Sequence, residues 1–555
     1  MTVDMFNKLN DTHNTNFPRC KKSNFQIYKE RKQGVGWRLT FKCVKCKFIS
    51  QEFVLFKEKE KDYPGQPGPK AAAANYSLAV GVMSTPMGNA RASDVIHSLN
   101  VPCSSPTTMQ KCTKRVAKAM VQLNDEDMGD KLVEVEKSNI ANGKPANQIH
   151  ISTDGRYSSA NITSTKKPGQ NALSAVMLAV EHNSRKKYAV GYSLLNKMCW
   201  TGAWLRKSGY NVECPGGHVE CTANIRRWDN LSEYEMGKNI AQTLADKGYL
   251  ITGVTTDGDG KAAAGVEDAL KLLHPLWTVV RQSDPVHVGR SQFRKSNASN
   301  YSTDMFTGCK NQKEKYEARK HFSQDLKARC GMVMAALFKK YADNVDYISC
   351  ILPKVLDCMI ACYSGDCKAC PTYGLVCGGE EGNDWWTRSS YLTVYKIQVL
   401  NMSDHDKTLV SDVLEMKLSV AAFEKFKLNT DTQKNEALNR KVSVNMPKNV
   451  TFSIQLEGRL SITIHNSNNP RYDAFIKQLE RVGMNLAQCI QESLRKKDIQ
   501  EQTKKEKQNS ESAKNERIRA MGQKMYEHSQ HKDGIPSDYK RGQLDEVHSY
   551  SKPAK

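Results

Sequence analysis

The chain has 555 residues, with 82 Lys plus Arg against 59 Asp plus Glu and a formal net charge of +23. That length allows about two to four domains and a sizeable core, while a mean hydropathy of −0.61 without any eighteen-residue apolar run excludes a transmembrane helix. The polar stretch Met1 to Phe17 has no apolar signal core, so the 17 cysteines are expected as reduced thiols, several of them metal ligands, in a chain that is not secreted. So large a positive excess points to an acidic partner, of which nucleic acid is the commonest.

In chain order, residues 1–62 form a cysteine-containing N-terminal module. Cys20 and Cys43-x2-Cys46 supply three thiols of a tetrahedral zinc site, with His13 available as a fourth ligand. A linker over 63–70 follows, three prolines and two glycines lying within Tyr63-Pro64-Gly65-Gln66-Pro67-Gly68-Pro69. Residues 71–145 read as short helices. Met109, Cys112, Val116 and Met120 recur at helical spacing, and Lys111, Lys114, Arg115 and Lys118 lie largely on other faces. Such a basic amphipathic helix fits either DNA contact or a packed helix with a solvated face.

Over 146–300 the pattern turns to α/β. Gln148 to Asp154 alternates like a strand ending at Asp154, and Ala172–Val180 and Tyr188–Leu194 are two further strands joined by a basic turn. Ser232-x-x-Glu235 is a capping box opening a helix with Met236, Ile240 and Leu244 on one face. Tyr249–Thr256 is a strand ending at Asp257, an Ala-rich helix runs to Leu273, and Thr278-Val279-Val280 is a short strand before Ser283-Asp284. Three strands, helix, strand, helix, strand is the order of an RNase H-like core. Residues 301–424 read as a helical insertion, and 425–494 as mixed structure completing the core and ending in one helix with Phe475, Leu479, Val482, Leu486 and Ile490. The charged tail over 495–555 reads as a frayed helix followed by disorder.

Asp154 and Asp257, each at a strand end, could share divalent cations, since Mg²⁺ prefers hard oxygen ligands and a metal pair suits phosphoryl transfer. Asp-Gly also simply makes turns. A third acid is needed; Glu436 taken alone is an ordinary helix glutamate, and Asp259 and Asp284 are nearer competitors. Cys199, Cys214, His218 and Cys221 make a complete Cys₃His zinc set among turn residues, and Cys362, Cys367, Cys370 and Cys377 a Cys₄ knuckle, with Cys350 and Cys358 read as core.

Together these residues resemble a Mutator-like (MULE-type) DDE transposase, of the animal group with a Mutator-like transposase domain, over about residues 15–465. The resemblance is carried by Asn75-Tyr76-Ser77 through Met87-Gly88-Asn89-Ala90 to Leu99-Asn100-Val101-Pro102, and by Gly217 to Asn224 with Ser232 to Met236. Asp284 to Ser291, and Asn435 to Arg440 followed by Pro447-Lys448-Asn449, carry the rest. It implies Asp154, Asp257 and Glu436 as catalytic Mg²⁺ (or Mn²⁺) ligands, a helical insertion before Glu436, and Cys199, Cys214, His218 and Cys221 as the family's cysteine–histidine feature. It also implies double-stranded DNA (element ends and target) as partner, at least a dimer, and a nuclear location. Two departures stand out: Ser23 follows Cys20 where the family opens with a second Cys-x2-Cys pair, and a Gly-Asp-His motif of the insertion reads Gly365-Asp366-Cys367. A domesticated DNA-binding protein without transposition activity, and a structure-selective nuclease, are the alternatives.

Overall fold

The computed structural model describes residues 3–520 apart from 62–63, 66, 159–171, 259, 307–308, 310, 342–343, 378–399, 449, 515 and 518–519. Two compact units result, one from residues 1–288 and 424–498, the other from 289–423 and 499–555.

In the first unit, helix α1 (Val3–Asn16) packs on a small antiparallel sheet of β1 (Phe25–Gln33), β2 (Gly36–Cys43) and β3 (Phe53–Val54), around Leu9, Cys43, Phe48 and Phe53. Helices α2 (Ala73–Met83) and α3 (Asn89–Ser98) follow. Next comes α4 (Pro106–Ala141), a single 36-residue helix where the sequence suggested short ones. It starts at Ser105, whose hydroxyl accepts from the Thr108 amide, with Pro106 in the first turn. It stays unbroken because it serves two cores in succession: Cys112, Val116 and Met120 pack with Val80 and Met83 of α2, and Leu132 and Val135 pack on the main sheet.

The main sheet has the order β6-β5-β4-β7-β8, formed by β4 (Gln148–Tyr157), β5 (Ser174–Glu181), β6 (Ala189–Asn196), β7 (Leu250–Thr256) and β8 (Val280–Ser283). The first three strands pair antiparallel, and β7 and β8 are parallel to β4 and β7 respectively. Every residue of β5 is buried, because both faces are covered. Ala175, Met177 and Ala179 meet α6 (Glu233–Asp246) and α7 (Lys261–Leu273) on one face. Val176, Leu178 and Val180 meet α14 (Gln433–Asn445) and α15 (Leu456–Asn468) on the other. Between β6 and α6 lies a cysteine-bearing excursion with the short helix α5 (Trp200–Lys207).

The second unit holds α9 (Gln312–Lys340), α10 (Val345–Tyr363), α11 (Cys370–Tyr373), α12 (Asp404–Leu418) and α13 (Val420–Phe423), with no strand among its described residues. Its core includes Phe322, Leu326, Leu337, Leu352, Val410 and Leu414. A buried pair, Arg329 Nε to Asp325 at 2.5 Å, is completed by the Tyr363 hydroxyl at 3.0 Å. Helix α8 (Pro285–Ala298) carries the chain from β8 towards this unit.

Several sequence expectations change. Asp154 does not end its strand; β4 runs three residues further, to Tyr157, because Asp154 through Tyr157 pair with β5. Residues 425–494 were expected as mixed structure; among their described residues the only regular elements are helices, joined by turns and extended segments. Their last helix is two, α16 (Arg471–Arg481) and α17 (Gln488–Asn509), separated where Gly483 takes a φ of 86°. Cys350 is exposed rather than core, whereas Cys358 is buried. Of the basic residues on α4, Lys114 is paired with Glu220 and Arg115 donates to the Tyr76 hydroxyl at 2.8 Å, so two of the four are engaged within the protein. Asp259, Asn449 and most of the tail fall outside the described residues.

Candidate active site and metal centres

Asp154 lies within β4, three residues before its carboxyl end, Asp257 directly follows β7, and Glu436 is in the first turn of α14. The β4–β7 pairing starts at an offset of 102 residues (Gln148 with Leu250) and shifts to 103 from His150 onward (Ser152 with Thr255). An offset of 103 also separates Asp154 from Asp257, so continuing the register sets the two at one level on neighbouring parallel strands. The shift is seated by a close approach: a Cβ on Gly253 would lie 2.2 Å from His150 Nδ1. The His150 ring is buried and its Nε2 is 2.8 Å from Thr255 Oγ1, which in turn is 2.6 Å from Thr430 Oγ1.

Helix α14 lies along β4 and is matched to it residue by residue. Ser152 Oγ donates to Asn435 Oδ1 at 2.5 Å, Asn439 Nδ2 donates to Asp154 Oδ2 at 2.9 Å, and Arg156 Nε donates to Ser443 Oγ at 2.9 Å. Every second strand residue meets every fourth helix residue because the two steps are nearly equal, about 6.6 Å and about 6.0 Å. Asn435 is fully buried and also donates to the carbonyls of Ser152 and Leu178, tying α14 to two strands. One residue along, Glu436 accepts from His287 Nε2 at 3.1 Å and from Arg440 at 3.3 Å.

Burial raises the Asp154 carboxyl above its ordinary value, and the nearby charges of Asp257 and Glu436 push the same way; the Asn439 hydrogen bond and His287 oppose them. A buried carboxyl held back from ionising, with other carboxylates nearby, is a donor that a divalent cation relieves. Among the described residues, however, the carboxylates that gather as a potential ion-binding group are Asp284 and Glu436 with His287, their ligand atoms within 4.8 Å of one another; Asp154 and Asp257 belong to no such group. Asp284 is fully buried and already accepts from Thr432 Oγ1 at 2.5 Å and the Val286 amide at 2.8 Å. Its oxygens are thus occupied in opening α8 and holding the α14 approach, with His287 left between it and Glu436.

Three sulfur-rich groups also assemble, each with ligand atoms within 4.8 Å of one another. Two thiolates at tetrahedral Zn²⁺ sit about 3.8 Å apart and a thiolate–imidazole pair about 3.6 Å apart. In the N-terminal group Cys20 and Cys43 sulfurs are 3.9 Å apart and Cys46 Sγ is 3.4 Å from His13 Nε2, so His13 joins the three thiols. In the second group His218 Nε2 lies 3.2 Å from Cys199 and 3.3 Å from Cys214. Burial pushes the Cys199 thiol up, but the Gly202 and Thr222 amides outweigh it and hold it down at about 6. Burial and the neighbouring thiols drive Cys214 up to about 11. The third group has Cys362 3.6 Å from Cys367 and 3.4 Å from Cys370, and Cys367 3.9 Å from Cys377. All three donor sets fit zinc, and none of the 17 cysteines is in a disulfide.

The sequence reading singled out the acids and the cysteines but not Ser152, Asn435 or Asn439, which look like ordinary polar residues until α14 is laid on β4.

The Mutator-like transposase family matches residues 1–377. That match places the molecule among nucleic-acid-processing enzymes. The chain belongs to the Mutator-like transposase family. No curated protein matches the sequence. The Drosophila P element transposase strand transfer complex aligns with 73% of this chain and 94% of that one, at 13% identity and a TM-score of 0.28, a likeness too loose to bear on the fold. Among the described residues no helix is long and apolar enough to cross a membrane.

Proposed function

We propose that this transposase cleaves and joins DNA strands at an RNase H-like core over 146–300 and 425–494, interrupted by the helical insertion 301–424. Asp154, Asp257 and Glu436 are its catalytic residues. What carries this is the β4–β7 ladder, whose last pair, Ser152 with Thr255, has the offset that separates Asp154 from Asp257, together with α14, which holds Asp154 through Asn439 and bears Glu436 three residues earlier. The three carboxylates offer hard oxygen donors for a pair of Mg²⁺ or Mn²⁺ ions, which when bound supply an activated water or 3′-hydroxyl and a stabilised leaving oxygen. Asn439 keeps one Asp154 oxygen oriented, and His287 with buried Asp284 behind it positions Glu436. No covalent protein–DNA intermediate is required.

Double-stranded DNA, as element ends and target, is the partner, and a homodimer at least is expected because two ends are processed. Residues 19–47 carry ten Lys or Arg and a single carboxylate, Glu30. A concavity of about 700 Å³ beside Cys20 and Cys46 is lined by Arg19, Lys21, Lys22 and Lys45. Exposed Lys111 and Lys118 on α4 are a second place for phosphates. This charge supports DNA binding, and the N-terminal set of His13, Cys20, Cys43 and Cys46 would, with zinc, hold the segment that presents its first part. A nuclear location follows from the substrate.

The test is metal-dependent nicking and strand transfer on labelled DNA ends by Asp154→Asn. Loss of both with retained DNA binding is expected; unchanged activity removes Asp154 from the mechanism. Binding without any strand transfer by the unsubstituted chain would favour the domesticated reading.

A further inference from the structure

The excursion between β6 and α6 carries three of the seven tryptophans, and none is sheltered: Trp200 is 73% exposed, Trp204 60% and Trp228 62%. The other two described tryptophans, Trp37 and Trp277, are half-buried. Large aromatic side chains seldom stay that open without a partner.

Their exposure is set by the metal site. Cys199 caps α5, its sulfur accepting from the Gly202 amide at 3.3 Å, and Gly202 faces the cluster so closely that a Cβ would lie 2.5 Å from Cys214 Sγ. With Gly202 turned inward, the outer stripe of α5 is Trp200, Ala203, Trp204 and Lys207, all exposed at the i, i+3, i+4, i+7 spacing of one helix face. Cations accompany the rings: Lys207 ends the stripe, and elsewhere on the same excursion exposed Arg226 sits 5.9 Å over the Trp228 ring with exposed Arg227 between them in sequence.

The sheet register fixes where this face stands. Asp154 pairs with Leu178, and Leu178 with Tyr192, so β6, parallel to β4, leaves the sheet at Asn196 at the same end of the sheet as Asp154, two strand spacings (about 10 Å) across and four residues (about 13 Å) further along. Exposed aromatic faces with cations beside them are the chemistry that takes unpaired nucleobases.

We propose that Trp200 and Trp204, on a helix clamped by Cys199, Cys214, His218 and Cys221, form a stacking platform for unpaired bases of the DNA strand led to the acids. The inference rests on the strand-cleavage reading given above.

The test uses the full, zinc-loaded chain and two probes, a blunt duplex and the same duplex with a short single-stranded 3′ overhang carrying 2-aminopurine. The unsubstituted chain should bind the overhang probe about tenfold more tightly and quench its fluorescence. Trp200→Ala with Trp204→Ala should lose the preference and the quench while keeping blunt-duplex affinity and zinc content. Trp200→Phe with Trp204→Phe should keep both. An alanine variant that retains the overhang preference overturns the proposal. So does one whose oligomeric state falls in sedimentation while that preference persists, because the face would then join copies of the chain. Failure of the unsubstituted chain to bind either probe sinks the cleavage reading as well, whereas binding both equally sinks the platform alone.

Discussion

Gly253→Ala tests the register that aligns the two aspartates. The added methyl would stand 2.2 Å from His150 Nδ1, 2.7 Å from His150 Cε1 and 3.3 Å from the Val280 carbonyl oxygen, so it strikes the imidazole with strand backbone close behind it. His150 is 9% exposed and bonded to Thr255, itself fully buried. Relief requires swinging the imidazole away from Thr255 or parting β4 from β7. Overpacking of this kind costs about 1–3 kcal/mol and the lost buried hydrogen bond about 1 kcal/mol more, giving a destabilisation of about 2–4 kcal/mol. Urea unfolding followed by far-ultraviolet circular dichroism measures it, together with amide exchange at Val254 and Thr255. His150→Ala in the Gly253→Ala background should recover at least half of the loss, because it empties the space the methyl needs. Metal-dependent nicking should fall further than stability does, since the strand shift that aligns Asp257 depends on this contact. A Gly253→Ala chain within about 0.5 kcal/mol of the parent, with unchanged nicking, would refute the reasoning.

Asn439→Leu keeps the volume but removes the donor to Asp154; nicking should drop about 10–100-fold with little change in melting temperature, and equal activity would release Asn439 from its positioning role. Elemental analysis should find zinc at the three sulfur-rich sites, with one equivalent lost on Cys43→Ser and another on Cys214→Ser with His218→Ala; an intact zinc count in either variant overturns that site. Burial lowers His150 to about 3 and His182 to about 4, so each binds fewer protons folded than unfolded. Their stabilising contribution is therefore full above about pH 6.5 and is lost as pH falls towards 4, by at most about 1.4 kcal/mol per pH unit for each. His150→Gln should flatten that slope, as read from denaturant midpoints across pH; an unchanged slope assigns the acid lability elsewhere.

The strand–helix order of residues 148–283 was legible because each element carries its own local signal: alternation in β4, the Ser232 cap on α6, the alanines of α7. Asp154 and Asp257 were marked as candidates by the same kind of local signal, an acid after an apolar run, although β4 continues past Asp154. The one-residue shift between Ile149 and His150 was not, since it depends on what Gly253 lacks rather than on what it contributes. Helix α4 was cut into pieces on paper because its buried stripe changes partner midway. Helix α14 was seen, but its polar face looked solvated, because Asn435, Asn439 and Ser443 find their partners more than 280 residues earlier. His13 was an open choice until folding set it against Cys46.

That last separation has a consequence for the making of the protein. The Asp154–Asn439 contact spans 285 residues, so at about 5–20 residues per second a ribosome needs about 15–60 s to supply the second partner after the first. During that interval the nascent chain can already fold α6 and α7 against its sheet, yet it carries only two of the three acids. A product broken off before α14 would keep Asp154 and Asp257 while lacking Glu436 and the asparagine that orients Asp154. Completion of the acid set is thereby tied to completion of synthesis through residue 445, a delay that keeps half-made chains from presenting all three acids together.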